Sequence, residues 1–415
     1  MFGQGIDMKF AELVSFTKEF NKKSSETLIM MPFYLEYGYL SDHLDALSRQ
    51  TFQDFDVVVI LNKVSDEKKV YGIIEEKKPA FGVIVTKRKE DTGSAGGFFT
   101  GQKYALENGY KQMIFADIDC MPVSLNLVEK LVSNKDREYV KPGGRIIENN
   151  QVTQIIPESV IPWYALLSTD LVRRCGLYYL PLYYGAEDVE YGSRIKTKPY
   201  IINSQCQHPP PSIMSYKNLE KSLVYQVNGL VIARDIGVRT LVMYLITLFV
   251  SMPAHLIFFP AYGTRAFSAL LSCLLTHTYG KAAAGRMVTG FRDYITEQIP
   301  ENLQHVSYSS AVSVDKRYPL MPFRIIRETF RKNVAIDYCR SGFLVTVASI
   351  FAKKAFFRIE NGRYLLLSDN SNQAIHAVRL LFFAACLPFV AVFITVIILP
   401  INIILRPQTK GYGLD

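Results

Sequence analysis

The chain has 415 residues, of which 49% are hydrophobic and 20% charged. This composition excludes a disordered polymer, and the length allows two or more folded units. The net charge is +9 at pH 7, and the basic residues of the C-terminal half lie beside apolar spans. That arrangement favours an anionic membrane surface as partner and argues against nucleic acid. The six cysteines show no CxxC pair, so neither a disulfide framework nor a zinc site is indicated.

The N-terminal residues 1–26 mix acids and lysines with apolar residues in an amphipathic pattern. This pattern predicts an amphipathic helix. It lacks the apolar stretch of a secretory signal, so we expect no cleaved signal peptide.

From Thr27 to about residue 212 the pattern alternates between short apolar runs and helical segments. Apolar runs begin at Thr27, Asp56, Phe81 and Gln112, and the intervening segments 39–50 and 95–108 have helical character. Alternation of this kind predicts an α/β fold with a mostly parallel, twisted sheet whose ligands bind at one edge.

The segment KQMIFADIDCMP ends one apolar run with two carboxylates, Asp117 and Asp119. If the strand stays extended, both side chains point the same way and reach one cation. Such a pair suits Mg²⁺ or Mn²⁺ carrying a diphosphate. The alternative is a surface turn with two solvated aspartates.

Three further motifs lie near the same predicted edge. The loop DTGSAGG places Gly93, Gly96 and Gly97 at a helix start, where a phosphate or a sugar hydroxyl could bind, although an ordinary turn has the same composition. Glu187 and Asp188 begin another helix, where simple capping is the alternative. His208 ends a strand before three prolines and is either a ligand or a satisfied structural histidine.

In their order and spacing these motifs resemble glycosyltransferase family 2, the inverting GT-A type that uses nucleotide sugars. The resemblance covers 27–211 and lies in LIMMPFY, QTFQDFDVVVILN, DTGSAGG, FADIDCMP, the segment containing GAEDVEYGSR, and the strand ending at His208. The motif order is most similar to that of galactofuranosyl and rhamnosyl transferases.

The resemblance implies roles for individual residues. Asp117 and Asp119 would bind the divalent metal, with His208 as third ligand, and Asp188 would be the catalytic base, with Glu187 able to exchange roles with it. The donor would contact Pro32, Tyr34, Glu36, Asn62, Asp66, Gly96, Gly97 and Asp117. Asn62 stands where the family usually has aspartate, and the processive signature QxxRW is missing.

The C-terminal half predicts membrane attachment. We expect an amphipathic connector at 213–239, a hydrophobic hairpin at 240–280, a basic cytoplasmic region at 281–377, a transmembrane segment at 378–406 and a tail at 407–415. Residues 281–377 hold 14 Lys and Arg against 8 Asp and Glu, which places them with the catalytic domain on the cytoplasmic face.

With this resemblance, we expect a metal-dependent transferase that moves a sugar from a UDP or dTDP donor to a hydroxyl of a lipid-linked or oligosaccharide acceptor. The resemblance implies a donor of UDP-galactofuranose or dTDP-rhamnose type. Two alternatives stay open at this point. One is a sugar-phosphate nucleotidyltransferase, which would need a basic glycine-rich loop where MPFYLEYGY stands. The other is a non-catalytic membrane subunit of a glycan-assembly complex.

Overall fold

The structure is a computed structural model that describes residues 8–21, 25–134, 136–148, 151–156, 160–209, 216–232, 256–286, 312–313, 333–336, 350, 354–358, 364–369, 371–398, 400–401 and 404. The chain divides into two compact units. One comprises Met1–Pro211 with Pro407–Asp415, and the other comprises Ser212–Arg406.

The centre of the first unit is a parallel sheet made from the four apolar runs. Its strands are β2 Thr27–Phe33, β3 Asp56–Leu61, β4 Gly82–Arg88 and β5 Gln112–Ala116. They lie in the order β4-β3-β2-β5. Nearly every residue of these strands is buried, as expected for a parallel sheet covered on both faces.

The helices that connect these strands are α2 Tyr37–Ser48, α3 Glu67–Lys77 and α4 Gly93–Glu107. The chain proceeds from β2 through β3 to β4, and α4 then returns it to the opposite side of β2, where β5 pairs. The carboxyl ends of β2 and β5 therefore flank a reversal of strand order, which is where open α/β sheets bind ligands. The predicted α/β class with a mostly parallel core is confirmed.

Beyond β5 the sheet continues in mixed directions in the order β9-β7-β10-β6, with β8 paired to β7. These strands are β6 Met121–Pro122, β7 Tyr139–Glu148, β8 Gln151–Ile156, β9 Trp163–Ser168 and β10 Tyr200–His208. The accompanying helices are α5 Leu127–Val132, α6 Thr169–Cys175 and α7 Glu187–Arg194, with a 3₁₀ turn at Leu180–Leu182. Ser168 begins α6 as its N-cap, accepting a hydrogen bond from the Leu171 amide at 3.1 Å.

The predicted N-terminal amphipathic helix is wrong for the described part of residues 1–26. A single helical turn, α1 Phe10–Leu13, is followed by β1 Val14–Phe20, which pairs antiparallel with β4. Phe16 and Phe20 pair with Lys87 and Val83 and share one face of the strand, and a register shift separates them from Val14, which pairs with Arg88. The rings of Phe16 and Phe20 contact Tyr71 of α3 at centroid distances of 6.3 and 5.6 Å, which fixes that face on the core.

The second unit contains α8 Tyr216–Val231, two helices at Pro260–Leu275 and Gly280–Arg286, and a four-stranded sheet. This sheet lies within the predicted basic region, for which the sequence predicted no secondary structure. Its strands are β11 Val312–Ser313, β12 Asn333–Ile336, β13 Lys354–Arg358 and β14 Tyr364–Asp369. Residues 240–255 of the predicted hairpin and the tail 407–415 lie outside the described residues.

One helix among the described residues, Gln373–Ile398, is long and apolar enough to cross a membrane. Its last five residues, Ile394–Ile398, form a π-helix. It begins five residues before the predicted segment 378–406, and only 11% of its most apolar window is buried within the protein.

Candidate metal centre

Asp117, Asp119 and His208 form a cluster at the carboxyl edge of the sheet. One ligand atom from each residue lies within 4.8 Å of the others, and His208 Nε2 is 3.1 Å from Asp119 Oδ1. The pairing of β10 with β6 brings His208 to this edge, because Gln207 is paired with Met121, two residues beyond Asp119. Residues 89 positions apart in the sequence are thus brought to one site.

The two aspartates meet through a turn, and the expected extended strand does not continue beyond Ala116. The Cys120 amide donates to the Asp117 carbonyl at 3.0 Å, which closes a four-residue turn over 117–120. Ile118, in the middle, is buried in the core at 8% exposure, whereas the flanking Asp117 and Asp119 are only partly buried. The predicted proximity of the two aspartates is observed, but the reason given for it was wrong.

The imidazole of His208 is held on two sides. Its Nδ1 contacts the Pro209 carbonyl oxygen, and because a carbonyl only accepts hydrogen bonds, Nδ1 carries the hydrogen. Trp163 stacks on the ring, with 4.6 Å between centroids and 15° between planes. The lone pair of a neutral Nε2 would then face a carboxylate oxygen, an arrangement that needs a proton or a cation between them. Two carboxylates and one imidazole form a donor set that fits Mn²⁺.

The electrostatics of the two aspartates differ. Burial, followed by the charges of Asp119, Glu187 and Asp188, raises the pKa of Asp117 well above its usual range. Burial also acts to raise the pKa of Asp119, but the hydrogen bond and charge of His208 outweigh it, so that this pKa is lowered. A negative, partly buried cluster of this kind is stabilised when a cation binds.

Glu187 and Asp188 begin α7 beside this cluster, and a strained loop positions them. Tyr183, Gly185 and Ala186 all have positive φ angles, of 63°, 84° and 67°. Only glycine adopts such angles readily, and strain of this kind concentrates at functional sites. The loop is tied to the start of α4, because the Ser94 hydroxyl donates to Glu187 Oε1 and the Ala95 amide donates to the Tyr183 carbonyl at 3.1 Å.

The two acids of α7 are both biased toward their protonated forms. Burial and then the charge of Asp188 raise the pKa of Glu187 to about 7, against the hydrogen bond from Ser94. Burial raises the pKa of Asp188, whose Oδ1 accepts from the Val189 amide at 2.8 Å. Carboxyl groups with raised pKa values are suited to proton transfer near neutral pH.

Gly96 and Gly97, predicted to contact the donor, are packed against protein atoms. A Cβ added to Gly97 would lie 2.6 Å from Cβ of Pro32, and one added to Gly96 would lie 1.7 Å from Oγ1 of Thr92. Both glycines therefore allow α4 to approach its neighbours closely. The Ala95 amide at the start of α4 is already bonded to Tyr183, so this helix end is partly covered. Donor contact at Gly96 and Gly97 stays a prediction.

The other predicted donor residues lie in the loops after β2 and β3. Tyr34 is 48% exposed, and Glu36 accepts a hydrogen bond from the Leu35 amide at 2.9 Å. Asn62 donates to Asp91 Oδ1 at 2.7 Å, and Asp66 caps α3 by accepting from the amides of Lys68 and Lys69. Asn62 and Asp66 thus have structural partners, and their predicted role toward a nucleotide stays a prediction.

Sequence reasoning missed several residues that surround the cluster. Tyr184 and Tyr39 lie close enough to Asp119 for its charge to help raise their pKa values, after the larger effect of burial. Ser94, which bonds Glu187, and Trp163, which stacks on His208, were also missed. Trp163 is the single tryptophan of the chain, and this was the one signal available from the sequence.

No protein-family model and no curated protein matches the chain. Among solved structures, the chain is similar to S. aureus TarS 1–349 in complex with UDP, at 13% identity and a TM-score of 0.41, over 61% of this chain and 83% of that one. It is also similar to the mannosyltransferase PcManGT from Pyrobaculum calidifontis in complex with GDP-Man and Mn²⁺, at 15% identity and a TM-score of 0.40, over 68% and 87%. At these values neither likeness decides the function, which is argued below from the site.

Proposed function

We propose that the protein is a metal-dependent glycosyltransferase that moves a sugar from a nucleotide diphosphate donor to an acceptor hydroxyl. The observation that supports this most directly is the cluster of Asp117, Asp119 and His208 beside Glu187 and Asp188, at the reversal of strand order. A cation-binding set next to a proton acceptor is what displacement of a nucleoside diphosphate by a hydroxyl requires.

In this proposal Asp117, Asp119 and His208 hold Mn²⁺ or Mg²⁺. A divalent cation there would neutralise the negative charge that develops on the departing diphosphate. Asp188 takes the proton from the acceptor hydroxyl, and Glu187 is the neighbour that could exchange roles with it. With one base and no second nucleophile assigned, a single displacement follows, and it inverts the anomeric centre.

The finer assignments belong to the same proposal. The enzyme would be an inverting member of family 2 that uses a UDP or dTDP donor of galactofuranose or rhamnose type. The helix Gln373–Ile398 would hold the enzyme at a membrane, with the catalytic unit on the cytoplasmic face, and the acceptor would be a lipid-linked saccharide.

A donor screen with the full-length protein in detergent tests the proposal. We expect UDP or dTDP to be released from one donor of a panel of UDP-, dTDP- and GDP-sugars, and the release to stop in EDTA and return with Mn²⁺. Asp119→Asn and Asp188→Asn should lower this release by about 10²-fold or more. Asp170→Asn, which alters an exposed carboxylate on α6, should retain it.

The products also separate the alternatives. Release of pyrophosphate from a nucleoside triphosphate and a sugar 1-phosphate would identify a nucleotidyltransferase and overturn the proposal. Full activity of Asp188→Asn would remove the assigned base. No turnover of any donor, in protein that binds neither Mn²⁺ nor nucleotide, would favour a non-catalytic subunit.

A further inference from the structure

A second layer of buried groups lies behind the metal cluster, centred on His43 of α2. The imidazole of His43 is fully buried, and both of its ring nitrogens have partners. Nδ1 lies 3.0 Å from the Ile118 carbonyl oxygen, and Nε2 contacts the Tyr164 hydroxyl. Because the carbonyl can only accept, Nδ1 carries the hydrogen, Nε2 is the acceptor and the tyrosine donates.

Ile118 is the residue between the two carboxylates of the cluster. Its carbonyl is therefore part of the turn that sets the separation and direction of Asp117 and Asp119. The turn is closed by the bond from Cys120 to Asp117, and the Asp117 amide donates to the Pro162 carbonyl at 2.7 Å. The bond from His43 fixes the peptide in the middle of this turn.

Tyr164 belongs to a segment that also contacts the third ligand. The pairing of β5 with β9 shifts register between Phe115 and Ala116, and Tyr164 has a φ of 64°, which is unusual for a bulky residue. With this conformation Trp163 stacks on His208, while the ring of the adjacent Tyr164 lies 5.7 Å from that of His43 and is tilted to it by 33°. Two consecutive aromatic residues thus support the aspartate turn and the histidine.

The core itself does not require a histidine at position 43. Leu40, Leu44 and Leu47 form the buried stripe of α2, and His43 occupies a position on the same stripe that a leucine would fill. A buried polar side chain is destabilising unless its hydrogen bonds are made. The two bonds it makes here lead only to Ile118 and Tyr164.

We propose that the buried pair of His43 and Tyr164 positions the Asp117–Asp119 turn and so sets the affinity of the cluster for its divalent cation. This inference rests on the proposed function, because it assumes that the cluster binds a cation. Groups that orient metal ligands from behind typically change metal affinity about 10- to 100-fold when they are removed. Both residues are fully buried and act through the turn, so they are positioning residues.

Calorimetric titration of Mn²⁺ into the full-length, metal-free protein in detergent tests this inference. His43→Leu removes both bonds and should weaken Mn²⁺ binding about tenfold or more. His43→Asn places an amide N–H near the position of Nδ1 and should restore affinity to within about threefold of wild type, because the bond to Ile118 is kept. Tyr164→Phe keeps the ring and its packing, and should weaken binding at least about threefold.

Tyr110→Phe is the matched control. It also removes a buried hydroxyl, which donates to Asp56 Oδ2 at 2.8 Å at the opposite edge of the sheet, and it should leave Mn²⁺ affinity unchanged. Thermal unfolding in EDTA checks that each variant is folded. If His43→Leu does not fold, the Mn²⁺ affinity of Tyr164→Phe tests the inference.

The outcomes separate the two proposals. If the wild-type protein does not bind Mn²⁺, the proposed metal site is wrong and this inference falls with it. If the wild type binds Mn²⁺ and folded His43→Leu and Tyr164→Phe bind it equally well, only the inference about His43 is overturned. If Tyr110→Phe loses as much Mn²⁺ affinity as the other variants, the effect is due to general destabilisation and the inference about His43 is overturned.

Discussion

Replacing Glu187 with glutamine should stabilise the metal-free protein at pH 8. Glu187 is buried, and burial and then the charge of Asp188 raise its pKa from the ordinary value of 4.5 to about 7. The folded protein therefore binds this proton more tightly than the unfolded chain does. The stability that this contributes is fully present below pH 4.5 and is lost as the pH rises through about 7.

The magnitude follows from the same two values. At 1.36 kcal/mol for each pKa unit, ionised Glu187 destabilises the fold at pH 8 by about 3 kcal/mol relative to a proton-bound group. Glutamine is neutral at every pH, and its side-chain oxygen still accepts from Ser94. For a unit of this size, about 3 kcal/mol corresponds to a rise in melting temperature of roughly 6 to 12 °C.

Thermal unfolding of the full-length protein in EDTA at pH 5 and pH 8 measures this difference. We expect the melting temperature of Glu187→Gln to exceed that of wild type at pH 8 and to approach it at pH 5. Glu75→Gln, which alters a side chain 63% exposed on α3, is the control and should change little at either pH. If Glu187→Gln is no more stable than wild type at pH 8, the claim that ionised Glu187 destabilises the fold is refuted.

Three further outcomes are expected. Asp188→Asn should lower the rate of transfer by about 10²- to 10⁴-fold while changing donor affinity little, as measured by initial rates and by donor titration. Burial lowers the pKa of His43 from the ordinary 6.5 to about 4. Its contribution to stability is therefore present above pH 6.5 and is lost as the pH falls toward 4. Between pH 7 and pH 5, the free energy of unfolding of wild type should fall by about 2 kcal/mol more than that of His43→Asn. Gly97→Ala should destabilise the fold by about 1–3 kcal/mol because the added Cβ meets Pro32 at 2.6 Å, whereas Gly72→Ala, which meets nothing within 4 Å, should not.

Each of these expectations has a result that contradicts it. Unchanged turnover in Asp188→Asn would transfer the role of base to another group. Parallel pH profiles of wild type and His43→Asn would show that the imidazole does not stay neutral in the fold. Equal stability of Gly97→Ala and wild type would show that α4 and Pro32 can separate without loss.

The parallel core was predictable because its strands are long uninterrupted apolar runs. The predicted and observed starts of β3, β4 and β5 agree within one residue, and the same runs determine which loops share the carboxyl edge. His208 is the last residue of β10, and its approach to the aspartates was expected from the family resemblance and not from the apolar runs. The N-terminal strand β1 was missed because Phe10, Leu13, Val14 and Thr17 recur at the spacing of a helix and gave an amphipathic pattern.

Features that depend on tertiary contacts were not predictable. The turn over 117–120 follows from hydrogen bonds to Pro162 and His43, neither of which is near in sequence. Asp91 was not singled out, yet it accepts hydrogen bonds from Asn62 and Tyr183. For His43 a signal did exist, since a histidine on the buried stripe of an amphipathic helix needs polar partners inside the protein.

The repulsion within the acid cluster connects stability to cation binding. Asp117, Asp119, Glu187 and Asp188 lie close enough for the charges of the other three to raise the pKa of Asp117, after the larger effect of burial. A cation that binds only the folded protein relieves this repulsion and stabilises the fold by mass action. Removing one charge relieves part of the same repulsion in advance. Glu187→Gln should therefore bind Mn²⁺ more weakly than wild type while unfolding at a higher temperature in EDTA, and a variant that gained in both would show that its stability arises elsewhere.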